Sequence, residues 1–161
     1  MNTTENRANG ANYRDDYPTL KLAFDNVHAD NSSLAEDWEL LLRVVADFEV
    51  SVDENVIYAE LEFCVVEFGV QAIQWSRRPF HGDFIYRTME AEEPGLVFIK
   101  KQEGGWQIGS IHQTSEAQPL SLAIVRAAVD DYWHRLRKIV GTRFQRDIET
   151  LVTLPARRFL P

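Results

Sequence analysis

Carboxylates dominate the side chains of this sequence that could take part in chemistry. The chain has 25 Asp and Glu against 17 Lys and Arg, giving a net charge of -8 over 161 residues. Two carboxylates can act as general acid and base, but glycosidase pairs are set in a cleft. One close group, Glu90, Glu92 and Glu93, instead lies in a predicted turn. Acids this abundant also meet by chance, so the pattern predicts no catalytic pair.

Histidine and cysteine give no second kind of site. Four histidines fall in unrelated segments, and none has another His at the i, i+4 spacing of a helical metal site. They are His28, His81, His112 and His134. The lone Cys64 lies in an apolar run, which is typical of an inert core thiol. We therefore expect no catalytic residue, no metal and no cofactor.

Acids mixed with aromatic residues indicate a protein-binding surface instead. Charge speeds association with a basic partner, and buried rings supply binding energy. In a predicted hairpin, Asp47, Glu49, Glu60 and Glu62 are expected on one solvent face with Tyr58 beside them. The predicted partner-binding residues are Asp47, Glu49, Tyr58, Glu60, Glu62, Glu90, Glu92 and Glu93. The alternative at each position is that the aromatic ring belongs to the core and the neighbouring acid is an ordinary solvent-exposed residue with no binding role.

Charge is distributed unevenly along the chain. Up to Gln118 there are 9 Lys and Arg against 21 Asp and Glu, and from Pro119 onward 8 against 4. The acidic balance argues against direct nucleic-acid binding, which needs Lys and Arg at the phosphates. The basic C-terminal part is typical of a helix with cations near its carboxyl end.

The elements that must position these residues predict an α+β fold. We expect one mainly antiparallel sheet of about six strands with the two longer helices packed on one face. Six strands are predicted. The first begins at Leu20, and the others cover Val44–Val52 and residues 57–61, 83–89, 96–101 and 106–112. Four helices are predicted. The first follows Ser33 and ends near Arg43, the second spans residues 63–77, the third runs from Pro119 to Val140, and a short one lies before Pro155.

Finer assignments follow from periodicity. In the returning strand, Ile57, Ala59 and Leu61 are predicted to face the core. In the long helix an apolar stripe is expected to pack on the sheet, and Gly141 is expected to end the helix. That stripe consists of Leu122, Val125, Val129, Trp133, Leu136 and Val140.

Domain organisation is expected to be simple. Residues 1–16 are polar and read as a flexible arm, and residues 17–161 as a single domain. No apolar stretch approaches the roughly 18 residues of a membrane span, and the start does not look like a secretory signal. A cytoplasmic location without membrane contact is the expectation.

Two segments carry a resemblance. Residues 92–97 (EEPGLV) and residues 105–110 (GWQIGS), with the strand between them, resemble small uncharacterised bacterial domains and more loosely the immunity proteins of bacterial toxin systems. The resemblance implies a cytosolic α+β protein that binds a basic partner such as a toxin and neutralises it without chemistry of its own. It supplies no site residues.

Two other functions stay open. One is a small enzyme or ligand-binding domain with a pocket between sheet and helices that uses Glu67, His112 or Tyr86. The other is an adaptor that assembles through an exposed sheet edge or the helical tail. The sequence gives neither the identity of the partner nor the oligomeric state.

Overall fold

The computed structural model describes residues 18–29, 34–88 and 91–153. The predicted arm of residues 1–16 and the chain after residue 153 lie outside these ranges. In chain order the elements are β1 (Leu20–Ala29), α1 (Asp37–Arg43), β2 (Val44–Val52), β3 (Asn55–Phe63), α2 (Val65–Ser76), β4 (Phe84–Ile85), β5 (Phe98–Gln102), β6 (Gly105–Gly109), α3 (Leu122–Phe144) and α4 (Glu149–Val152).

The predicted α+β class is confirmed, but the prediction of one continuous sheet is wrong. The six strands form two antiparallel sheets of three strands each, in the orders β1-β2-β3 and β4-β5-β6. The physical reason is α2, whose residues are buried except Gln71 and Gln74. A helix that is apolar on two sides needs cover on both, so each side of α2 meets aromatic side chains from a different sheet.

Aromatic side chains join the layers. Phe68 of α2 has its ring centroid 5.0 Å from that of Phe48 in the first sheet and 6.0 Å from that of Phe84 in the second. Two turns further along α2, the ring centroid of Trp75 lies 5.5 Å from that of Trp106 in the second sheet. Such edge and tilted contacts add to the area that the rings bury. The core is therefore continuous through α2.

Close packing of α3 on α2 explains a glycine that costs helix stability. A Cβ at Gly69 would lie 3.0 Å from Leu136 Cδ2 and 3.2 Å from the Trp133 ring. Any side chain there would separate the two helices, so the absence of one outweighs the roughly 1 kcal/mol helix cost of glycine. Tyr132 also ties α3 to α2, because its buried hydroxyl donates to the carbonyl of Val65 over 2.8 Å.

The long helix α3 confirms most of its predicted stripe and corrects both ends. Leu122 is half-buried, and the other five predicted residues are buried together with Tyr132. Ser121, rather than Pro119, caps the helix, since its Oγ accepts from the amide of Ile124. The helix passes through Gly141 and ends at Phe144, and the next residue, Gln145, takes the left-handed conformation of a C-terminal stop (φ 54°).

Other boundaries also differ from the predictions. The first helix begins at Asp37 after Glu36, whose amide donates to the Glu39 carboxylate, and Ser33 lies outside the described residues. The strands of the second sheet are shorter than predicted. Beyond Ile85 the chain is held by Gln71 of α2, which bonds both backbone groups of Arg87 in place of a neighbouring strand.

Candidate functional site

The face of the first sheet opposite the core-facing Phe48 holds two of the predicted acids, Asp47 and Glu49. Here it is called the outer face. Strand register pairs Asp25 with Asp47, Ala23 with Glu49, and Glu49 with Ala59. Since directly paired residues share a face, these side chains stand together. Together with Lys21, Leu61 and Arg135 they line an open groove of about 650 Å³.

Electrostatics on the outer face are unbalanced. Asp25 and Asp47 are register partners, which places two like charges directly across adjacent strands. The donor that meets Asp47 is a neutral amide, the Nδ2 of Asn26 at 2.5 Å, and the Asn26 backbone amide donates to Asp25 Oδ1 over 2.8 Å. The Arg135 guanidinium is bound to Asp131 and to the carbonyl of Leu22. Lys21 also lines the groove, but it is one cation beside the three carboxylates of Asp25, Asp47 and Glu49, so the outer face keeps an excess of negative charge.

The register moves two of the predicted hairpin residues off this face, although Glu60 stays exposed and lines the groove from the sheet margin. Tyr58 pairs with Val50 and Glu60 pairs with Phe48, both of which face the core. Tyr58 is buried, and its hydroxyl donates to the exposed Glu60 carboxylate at the sheet margin. The predicted inward positions of Ala59 and Leu61 are likewise wrong, since both are exposed.

A β-bulge causes this shift. The register between β2 and β3 slips between Val50 and Ser51, where Ser51 pairs with Val56 while Val50 pairs with Tyr58. One extra residue in β3 reverses the faces of every residue that follows, until a second irregularity near Glu62 (φ 55°) returns Phe63 to the core. Uninterrupted alternation could not reveal either bulge.

The remaining predicted acids are divided between two places. Glu62 reaches across the first sheet to His28, with 3.9 Å between Oε1 and Nε2, so it borders the outer face. Glu92 and Glu93 are exposed in the connection from β4 to β5, which belongs to the second sheet. Glu90 lies outside the described residues. The structure thus brings Asp47, Glu49 and Glu62 to one face and places the described turn acids elsewhere.

Sequence reasoning missed two members of the outer face. Asp25 joins the outer face only because β1 pairs with β2, and the sequence does not show which strands pair. Leu61 is 75% exposed and lies within the groove, where it offers an apolar contact beside the acids. Aromatic rings are exposed elsewhere, with Trp38 under the Arg43 guanidinium and Phe80 in the loop after α2.

The pocket predicted between sheet and helices has partial counterparts. The Tyr86 hydroxyl donates to Glu67 Oε2 over 2.9 Å in the interior, and Glu67 also lines a cleft of about 310 Å³. Burial, followed by the neighbouring Glu67 charge, raises the pKa of Tyr86 far above its usual range, so the phenol stays protonated. The third predicted member, His112, sits on the exposed turn after β6.

A second carboxylate group lies near the C-terminal end of the described chain. Glu149 accepts from Arg77 Nη1 at 2.5 Å and from the Trp133 indole nitrogen at 2.9 Å, and Arg137 approaches it at 3.2 Å. The Arg77 hydrogen bond, with that of Trp133, lowers the pKa of Glu149 although burial opposes this. The backbone amide of Glu149 lowers the pKa of Asp147 in the same way.

The described residues form neither a metal-ion cluster nor a membrane-spanning helix. Within the parts of the chain that the structure describes, no three His, Cys, Asp or Glu side chains are grouped so as to hold a metal ion. Across the same ranges, no helix has both the length and the apolar character needed to cross a membrane.

Fold and site together define an α+β domain in which two small antiparallel sheets share one buried helix and one sheet presents an open acidic face. The chain belongs to the family described as "Domain of unknown function (DUF7878)", which matches residues 20–141. No curated protein and no solved structure matches it. The family span covers both sheets and most of α3, and its description assigns no activity.

Proposed function

We propose that this protein is a non-catalytic binding protein that docks a basic protein partner on the outer face of its first sheet. The observation that carries the proposal is the register, which sets Asp25, Asp47 and Glu49 side by side. Like charges held together lower the stability of a sheet, and a basic partner would relieve that repulsion. Ala59 and Leu61 supply apolar contact area next to the acids.

More specifically, we propose that binding inhibits the partner by covering its basic site. A partner such as a bacterial toxin often exposes a basic site for nucleic acid or an acidic substrate. A cytoplasmic protein that covers such a site with carboxylates competes with the substrate and needs no chemistry of its own, as the resemblance to immunity proteins implies. The turn acids Glu92 and Glu93 lie outside the proposed face and are secondary contacts at most.

Charge reversal on the outer face tests the proposal. The first step is to isolate a basic protein that co-purifies from the native cytosol and to prepare it pure. Its association rate is then measured with the wild-type chain and with the triple variant Asp25→Lys, Asp47→Lys and Glu49→Lys. Electrostatic steering changes association rates by roughly 10-fold to 1000-fold, so we expect the triple variant to associate at least about tenfold more slowly and with less dependence on salt.

A matched control separates position from total charge. The variant Glu103→Lys, Glu116→Lys and Asp130→Lys changes the net charge equally at exposed positions away from the outer face. It should keep most of the wild-type rate. Equal slowing by both variants would show a general charge effect, and an unchanged rate in the outer-face variant would remove this surface from the interaction. Circular dichroism verifies that each variant folds.

A further inference from the structure

The cleft of about 310 Å³ between α2 and the β4 segment has the size and lining of a small-molecule site. Its volume falls at the lower end of the roughly 300–1,000 Å³ that ligand pockets occupy. The apolar part of its wall comes from Leu41, Val70, Trp75 and Phe84, each less than 5% exposed. Two of these are aromatic, so the lining favours a flat apolar ligand.

Hydrogen bonds hold the polar lining residues of the cleft in place, one pair across it and two to neighbouring segments. Gln71 Nε2 donates to the carbonyl of Arg87 over 2.7 Å, and its Oε1 accepts from the Arg87 amide over 3.2 Å. Gln74 Nε2 donates to the carbonyl of Val152, and Asp83 Oδ1 accepts from the amide of Lys101. Because the wall positions are fixed before a ligand arrives, binding would require little reordering.

The arginines of the cleft differ from most others in the chain. Of the nine arginines in the described ranges, six have a guanidinium bonded to a carboxylate or a carbonyl: Arg43, Arg77, Arg135, Arg137, Arg143 and Arg146. Among described residues, no such partner meets the guanidinium of Arg78, Arg87 or Arg126, and the first two of these line the same cleft. Both residues are exposed, so two guanidinium groups beside an apolar wall are free to receive an anion in this acidic protein.

Carboxylates restrict which anion fits. Glu67, fixed by the Tyr86 hydroxyl, and Asp83 also line the cleft, so the four charged groups balance. A ligand with two negative charges would meet both carboxylates as well as both arginines. A single negative charge at the arginines, with an uncharged ring against Trp75 and Phe84, avoids that repulsion.

We propose that this cleft binds a small aromatic carboxylate, with its carboxylate at Arg78 and Arg87 and its ring on the apolar wall. The site lies in the cleft between α2 and the β4 segment, separate from the outer face of the first sheet. Binding of the ligand in this cleft does not require the protein partner proposed above.

The test uses three probes with the full-length ¹⁵N-labelled chain: indole-3-acetate, its neutral amide indole-3-acetamide, and phenyl phosphate. We expect indole-3-acetate to shift the backbone signals of Val70, Gln71 and Ile85 saturably. Since charge-assisted hydrogen bonds are about twice as strong as neutral ones, the amide should bind at least about tenfold more weakly. Phenyl phosphate, which carries up to two charges, should also bind more weakly than the acetate.

Variants assign any binding to the cleft. The double variant Arg78→Gln and Arg87→Gln should weaken indole-3-acetate binding at least about tenfold, because both guanidinium groups are lost. The control Arg126→Gln removes an exposed arginine of α3 that meets no carboxylate or carbonyl within the described ranges, and it should change the affinity less than about twofold.

Three results would overturn the proposal: no saturable shift with indole-3-acetate, an affinity unchanged in the double variant, or tighter binding of phenyl phosphate. The outer-face triple lysine variant should bind the probe as the wild type does. Failure of one proposal is therefore distinguishable from failure of the other.

Discussion

Two groups of carboxylates in this molecule have opposite surroundings. Glu149 is met by Arg77, Arg137 and the Trp133 indole, and the first of these hydrogen bonds lowers its pKa. On the outer face, Asp25 and Asp47 oppose each other across two strands. The first group stabilises the fold, whereas the second opposes it. Acids that do not contribute to folding are the ones to which a binding role can be assigned.

Loss of the Glu149 charge gives the largest expected stability effect. Glu149→Gln weakens two arginine contacts and the indole hydrogen bond that link α2, α3 and α4. Hydrogen bonds to charged groups contribute about 1.5–3 kcal/mol, and partial exposure of Glu149 reduces this. We expect a decrease of about 1.5 kcal/mol in the free energy of unfolding, measured by urea denaturation.

Asp130→Asn is the matched control for that substitution. Asp130 is an exposed carboxylate on α3 outside the Glu149 group. Its replacement should alter the free energy of unfolding by less than about 0.5 kcal/mol. Equal effects of the two substitutions would show that the Glu149 group has no special part in folding.

Acid should act on the same group. The folded-state pKa of Glu149 is lowered from an ordinary value of 4.5. On acidification the unfolded chain therefore takes up its proton first, so the contribution of Glu149 is complete above about pH 4.5 and is lost as the pH falls through the folded pKa. The difference in stability between wild type and Glu149→Gln should shrink from about pH 6 to pH 3 in urea titrations. A constant difference would contradict this origin.

The fold could be predicted to the level of its elements but not of its layers. The 3- and 4-residue spacing from Val125 to Val140 predicted α3, because one face of a surface helix must be apolar. Division into two sheets could not be predicted, since periodicity is local and does not show which strands pair. The available signal is that α2 is apolar on two sides, since a helix packed on one sheet needs only one apolar face.

The candidate site was predictable in part for a related reason. Alternation placed Asp47 and Glu49 correctly because β2 is regular beside them. It misplaced Tyr58, Ala59 and Leu61 because an extra residue in β3 reverses the faces, and a bulge leaves no periodic mark in a single sequence. Glu60 still lines the groove from the sheet margin. Asp25 joined the outer face only through pairing of β1 with β2, a long-range contact.

The smallest expected change in stability comes from a substitution on the outer face itself. Asp25→Asn removes one of the two opposed charges and keeps an oxygen that can accept from the Asn26 amide. Relief of a like-charge pair across strands should raise the free energy of unfolding by about 0.3 kcal/mol. Because salt screens such repulsion, the gain should be measurable by urea denaturation at low ionic strength and disappear near 1 M salt. A loss of stability at low salt would mean that Asp25 has a stabilising partner and that the contrast with Glu149 is false. A gain would show that the fold carries these acids at a cost, as a surface kept for a basic partner requires.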